Sequence, residues 1–431
     1  MKKLIIIAFA CSLPIILYAN NDGETRTATV KTTVSASDVI NIQAKYTELL
    51  VETWNKNEVL IEASIRFDGK MTSKMQSFLD DFEQTVNDNI TKGAGELKID
   101  TDLDLPNRIQ IGSKNIGINI SYGDKDLKVV YKIKAPGTNK YIISNSYEDV
   151  RLVGNYDKME FTQYSGELEA GTIKSAKMNM KYGSANIESL GNADMEIYEQ
   201  KLDIKNLGTL DLNAKYSDLE LEKVEKIDAV SYESDFEIGS IYELNGNFKY
   251  GKINISGKLQ KAKYEFYEMD IEADEIGTMV SENSKYSKFE FGKAGSIAFD
   301  QSYEDETTIG NLGTFRSKNS KYGKHKIELL EGSFELNAYE DDVDIEKMGT
   351  NVTEISVDGK YLNTTIGIGN ASFILTTNVK YGKAEYDESE VDVKRYIKDN
   401  DQLEVEVHSK RKSTNPIRIS VKGYEVDVVL N

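Results

Sequence analysis

An all-β chain wound as a single β-solenoid of ~17-residue rungs is the predicted fold, on three observations: a tyrosine returning at a near-fixed period, apolar residues alternating on both sides of it, and glycines at the turns between. From residue 147 the landmarks are Tyr147, Tyr164, Tyr182, Tyr198, Tyr216, Tyr232, Tyr250, Tyr267, Tyr286, Tyr303, Tyr322, Tyr339, Tyr361 and Tyr381. Their gaps run from 16 to 19 residues until the last two, of 22 and 20. Alternation with period two means strands with one face inward. It is plain in Leu210-Asp211-Leu212 and in Ile253 and Ile255 after Tyr250.

Two turn classes alternate along the array. In one, the inward residues fall three and five places after the tyrosine, as with Leu219 and Leu221 after Tyr216. In the other they fall four and six places after it, as with Phe236 and Ile238 after Tyr232, and glutamate often follows the tyrosine directly. A double rung of ~35 residues is therefore the expected unit. Glycine in Tyr182-Gly183, Tyr250-Gly251, Tyr322-Gly323 and Tyr381-Gly382 is expected at positive φ. Leu207-Gly208 and Leu312-Gly313 mark the returning turns. A strand pair this short buries its apolar face only when the next rung stacks on it. Fourteen landmarks at roughly 4.8 Å per rung predict a rod on the order of 60–65 Å long. The tyrosines themselves are expected to form a buried stacking ladder, the alternative being a tyrosine-lined ligand face.

The ends differ from the array. Met1-Lys2-Lys3, the apolar run Leu4 to Ala19 and polar Asn20-Asn21 have the layout of a secretory signal peptide, residues 1–19, cleaved near Ala19. An uncleaved anchor and lipidation at Cys11 are the alternatives. Residues 20–136 read as an amino-terminal β region. In it Lys45-Tyr46 through Val51 repeats the rung pattern, and one amphipathic helix over about 73–90 caps the array with Met75, Phe78, Phe82 and Val86. Ile116 to Ile120 and Leu127 to Ile133 read as a hairpin feeding the array, which spans 137–390. Residues 391–431, with Lys410-Arg411-Lys412 and Tyr424 to Leu430, read as a closing rung with charged cover.

Composition removes several classes of function. Cys11 is the sole cysteine, so a chain cleaved after Ala19 has neither disulfides nor thiol chemistry. The formal net charge of −19 disfavours nucleic acid and anionic membrane surfaces. His325 and His408 are the only histidines and are far apart in sequence, so no zinc site is expected. His325 falls at an inward offset and reads as a core or edge histidine, His408 as solvent-facing, and Trp54 as a packing residue in a turn, with sugar stacking as its alternative. The acidic clusters Tyr303-Glu304-Asp305-Glu306 and Tyr339-Glu340-Asp341-Asp342-Val343-Asp344 recur at turn positions and read as solvated turn faces. A weak calcium site at Asp341, Asp342 and Asp344 is the competing reading. No catalytic residues, cofactor or metal are expected, and no transmembrane span in the mature chain.

Several segments together resemble the bacterial putative-adhesin family of exported β-solenoids, related to the autotransporter-like head called the GIN domain. They are Lys45-Tyr46 through Val59, the helix after it, and Tyr131-Lys132-Ile133-Lys134-Ala135-Pro136 leading into Lys-Tyr-Gly rungs. The resemblance implies a cell-envelope or surface β-solenoid and transfers no catalytic residues. The long repetitive surface adds the expectation of a non-enzymatic, adhesin-like protein that binds an envelope or surface macromolecule, protein or polysaccharide. A periplasmic accessory or signalling partner and a carbohydrate-active β-helix enzyme are the alternatives.

Overall fold

The computed structural model describes residues 23–103 and 127–431, and the backbone of 109–110 and 117–118. The expected signal peptide and Cys11 lie outside the described residues, as does most of the stretch from Ile116 to Gly123.

Successive rungs pair in parallel, with each residue opposite the one a rung later. Asp218 meets Asp235, Leu221 meets Ile238, and Lys215 meets Tyr232. Every alternate side chain enters one continuous core. Leu219, Leu221, Val224, Ile227 and Ala229 supply it in one rung, and Phe236, Ile238, Ile241 and Leu244 in the next. The chain runs through its corners without leaving the ladder, so Lys158–Lys215 and Asp235–Lys285 each stay hydrogen-bonded to neighbouring rungs through several turns. This is the β-solenoid expected from the tyrosine period. From Phe236 to Phe334 the core is aromatic, with Phe248 against Phe236, Tyr264 and Phe266, and Phe315 stacked on Phe334 at 4.8 Å.

Stacking order departs from chain order at both ends. The Val39–Lys45 strand lies directly on Lys140–Ser146, so Tyr46 precedes Tyr147 in the stack. At the far end Ile417–Leu430 inserts between Glu354–Ile366 and Phe373–Lys380. The Tyr424 rung is thus not the closing one. The stack closes instead on Gln402–Ser409 and then Val391–Asp399, paired antiparallel. Val391–Asp399 is exposed beyond its first residue and carries Lys394, Arg395 and Lys398, the charged edge that discourages further pairing.

The expected capping helix is two short helices, α1 (Ser73–Asp80) and α2 (Phe82–Asp88), broken at Asp81. Thr72 caps α1 through the Met75 N–H. Met75, Leu79, Phe82 and Val86 are all buried, and α2 covers the strand Glu24–Thr33. Leu127–Pro136 lies parallel to Glu48–Trp54 and antiparallel to Glu58–Phe67, and Gly117–Ile118 pairs with Ile109–Gln110; the rest of the expected hairpin's first arm lies outside the described residues.

Candidate functional site, the tyrosine edge

One narrow edge of the rod is formed by the turn at each tyrosine. Sixteen rings touch in an unbroken column, in the order Tyr46, the landmarks from Tyr147 to Tyr361, then Tyr424 and Tyr381. The column is not buried, contrary to the expectation. Tyr182, Tyr216 and Tyr286 are 42–44% exposed, and Tyr381 50%. The ladder therefore exists as read, but on the surface.

Backbone geometry accounts for the two turn classes. In the first class the tyrosine itself is left-handed, with φ of 54° at Tyr216, 58° at Tyr250 and 61° at Tyr322. In the second the following residue takes that conformation, with φ of 46° at Glu233, 51° at Glu304 and 58° at Glu340. Moving the left-handed residue by one place moves the tyrosine by one place relative to the strands. Offsets of three and five thereby become four and six. Neighbouring rungs then present rings at about right angles, as with Tyr216 and Tyr232 at 5.7 Å and 80°. Tyr46 and Tyr147 adjoin in the stack, share the first class, and lie flat on each other at 11°.

Each left-handed side chain is disfavoured by roughly 1–2 kcal/mol. The turn still keeps its ladder hydrogen bond, as in Tyr216 N–H to Tyr232 O at 3.0 Å and Glu233 N–H to Lys249 O at 2.8 Å. Of the four glycines expected at positive φ after a tyrosine, Gly251 has it, at 158°, whereas Gly183, Gly323 and Gly382 do not. The left-handed residue of Tyr182-Gly183 and Tyr322-Gly323 is the tyrosine. A Cβ on Gly183 would run into the Gly166 carbonyl of the adjacent rung, so close approach selects glycine there.

Behind the tyrosines a second column turns inward. Ser217, Ser234, Ser287, Asp305 and Asp341 are all buried. Their oxygens accept backbone N–H groups from the rung before: Ser217 from Gln200, Ser234 from Ser217, Asp305 from Ser287 at 2.9 Å and Asp341 from Gly323 at 2.9 Å. The acidic clusters are therefore not uniformly solvated turn faces. Asp305 and Asp341 lie inside, while Glu304, Glu306, Glu340 and Asp342 lie outside. Burial raises the Asp305 carboxyl above its usual range, partly offset by hydrogen bonds from Ser302 and Ser287. Asp341 also meets His325 Nε2 at 3.3 Å, and the His325 ring packs on Phe315 at 5.0 Å. Sequence reasoning placed His325 inward but missed its carboxylate partner. The signal was present in the serines at the same offsets of sibling rungs.

The structure does not bring Asp341, Asp342 and Asp344 together. Asp342 and Asp344 line an open hollow of about 460 Å³ with Glu306, Lys324 and Lys326. Lys324 pairs there with Glu306 at 2.8 Å and Lys326 with Glu346 at 2.9 Å. Among the described residues no group of three or more His, Cys, Asp or Glu side chains is arranged to hold a metal ion. His408 Nε2 lies 2.8 Å from Glu406 at a half-exposed position. The Trp54 indole N–H donates to Glu58 O at 2.8 Å, with Lys56 over the ring.

Charge is handled differently on the faces and on the edge. On the faces lysine and glutamate pair from rung to rung, as in Lys201 with Glu220, Lys258 with Glu275 and Lys263 with Glu282. On the edge two adjoining columns alternate. One reads Lys215, Tyr232, Lys249 and Tyr267; the other reads Tyr216, Glu233, Tyr250 and Glu268. Among the described residues none of these lysines or glutamates forms an ion pair within 4.0 Å. The Tyr232, Tyr303 and Tyr339 phenols are held above their ordinary value, first by hydrogen bonding to Glu233, Glu304 and Glu340.

No family model matches the chain, and no curated protein matches its sequence. Among solved structures, one described as a "putative cell adhesion protein" from Clostridium sporogenes aligns over 94% of this chain and 100% of its own. The identity is 8% and the TM-score 0.14, a likeness that carries no argument about fold or function. The fold assignment rests on the parallel pairing and the continuous core.

Proposed function

We propose that this protein is a non-enzymatic, adhesin-like rod of the cell envelope or surface that binds another macromolecule along its tyrosine edge. The carrying observation is the edge itself: sixteen touching tyrosines, alternately exposed and half-buried through most of the column, flanked from Lys181 to Lys360 by lysines and glutamates that form no ion pair among the described residues. A long repetitive surface suits extended contact with a polymer or protein better than turnover of a small molecule. Tyrosine supplies large contact area with few rotatable bonds, which is why it is enriched in binding surfaces. Asp342 and Asp344 lie in an open hollow interleaved with Lys324 and Lys326, whereas a carboxylate pair that catalyses is held in a closed cleft around its substrate, which supports the same reading. Export is supported by the apolar run from Leu4 to Ala19. Among the described residues no helix is long and apolar enough to cross a membrane.

Retention of the purified full chain on envelope preparations tests the binding role. The triple variant Tyr216→Ser, Tyr250→Ser and Tyr286→Ser is expected to lose retention while keeping its β-sheet circular dichroism. Digestion of intact cells by added protease tests exposure. Release of sugar ends from a polysaccharide panel, abolished by Asp342→Asn with Asp344→Asn, would replace binding with catalysis.

A further inference from the structure

The edge carries a charge pattern that is complementary to itself. Rungs of the first turn class present Lys then Tyr, at 181/182, 215/216, 249/250, 285/286, 321/322 and 360/361. Rungs of the second class present Tyr then Glu, at 198/199, 232/233, 267/268, 303/304 and 339/340. The two classes alternate through the stack, so positive and negative groups alternate at about 4.8 Å along it. The faces differ, because many of their charges are joined in rung-to-rung pairs, such as Lys258 with Glu275 and Arg316 with Glu335.

We propose that the tyrosine edge pairs two copies of this chain side by side, each rod seated on the same edge of the other. An isologous contact requires a surface that complements itself under a two-fold rotation. Rotate one rod about an axis parallel to its length and the two columns exchange. Each lysine then faces a partner tyrosine ring, and each glutamate faces a partner phenol. The partner's glutamates lie one rung above and below each lysine, and no like charges oppose. With the axis across the rod, between two rungs, lysine again meets tyrosine and glutamate again meets phenol. Lys380 over Tyr381 at 5.1 Å and Lys45 over Tyr46 at 5.6 Å show that ammonium–ring contact is accessible to these side chains within one copy.

The area suffices. Sixteen rungs at about 4.8 Å give an edge roughly 72 Å long, and the edge is about 10 Å wide, the separation of two packed sheets. That is on the order of 700 Å² per partner, close to the about 800 Å² of a standard interface. A simple polyanion or polycation is a poorer occupant, because it would meet a like charge on every second rung.

The inference rests on the reading of this edge as the binding surface, and its test separates the two. Sedimentation of the full chain at tens of micromolar is expected to show a dimer that weakens as salt rises. Lys215→Glu, Lys249→Glu and Lys285→Glu in one variant, and Glu233→Lys, Glu268→Lys and Glu304→Lys in another, are each expected to weaken self-association roughly tenfold or more. Mixed in equal amounts, the two variants are expected to form a heterodimer. All six positions are solvent-exposed, and circular dichroism checks that each variant is folded. A wild type that stays monomeric, or variants that self-associate as well as wild type, would overturn the pairing. If the wild type is monomeric while the triple tyrosine-to-serine variant still loses envelope retention, the edge binds a different partner and only the pairing fails.

Discussion

Tyr250 and Phe248 sit two residues apart, and their contrast gives the residue-scale logic of the rung. Phe248 is fully buried among Phe236, Tyr264 and Phe266. Tyr250 is half-buried on the edge and touches the Tyr232 and Tyr267 rings. Phe248→Ala is expected to cost roughly 3–5 kcal/mol, the range for a large core truncation. Tyr250→Ala removes two edge-to-face contacts at about 0.5–1.5 kcal/mol each, so about 1–3 kcal/mol is expected, below the loss at Phe248. Denaturant midpoints of the two variants check the order, and equal losses would mean that Tyr250 is core. Asp305 behaves differently. Its folded carboxyl titrates above its unfolded value, so its contribution is fully present below the unfolded pKa and is lost as pH rises through the folded one. Stability of Asp305→Asn relative to wild type is expected to increase from about pH 4 toward neutrality. A difference independent of pH would contradict this. The inward turn of Asp305 and Asp341 was obscured by their acidic neighbours. A run of three acids reads as solvated unless the siblings Ser217, Ser234 and Ser287 are aligned beneath it.

At the scale of the element, the rung was legible because strand alternation and turn spacing are local properties. The offsets that sort the rungs into two classes report which residue is left-handed, and the structure supplies the cause. Stacking order at the ends was not legible. A rung pattern says which side chains face inward but not which rung lies above. The returns of Val39–Lys45 and Ile417–Leu430 to the stack depend on contacts far apart in sequence. The helix was legible as an apolar face, whereas its break at Asp81 was not. Corner glycines give the test at this scale. A Cβ on Gly295 would lie 2.5 Å from the Gly277 carbonyl oxygen, whereas one on Gly93 meets nothing within 4 Å. Gly295→Ala is expected to destabilise by roughly 1–3 kcal/mol through forced separation of two rungs, and Gly93→Ala by much less. Thermal melts compare the pair, and a neutral Gly295→Ala would mean that the corner can open without loss.

The whole molecule is a rod whose interior is apolar and aromatic, whose faces carry many rung-to-rung ion pairs, and whose tyrosine edge, from Lys181 to Lys360, carries lysines and glutamates that form none among the described residues. Its acidic balance and repetitive geometry were readable from composition and period. The division of charge between face and edge was not, because it depends on which lysine stands opposite which glutamate in the stack. A partner is therefore expected to meet the edge rather than the faces. Site-specific photo-crosslinking in intact cells tests this most directly, with the photoreactive side chain at Lys249 on the edge or at Lys226 on a face, where Lys226 pairs with Asp228 and Glu243. The expected result is covalent adducts from position 249, whether to another protein, a polysaccharide or a second copy, and none above background from position 226. Adducts from 226 alone, or equally from both, would contradict the tyrosine edge as the binding surface.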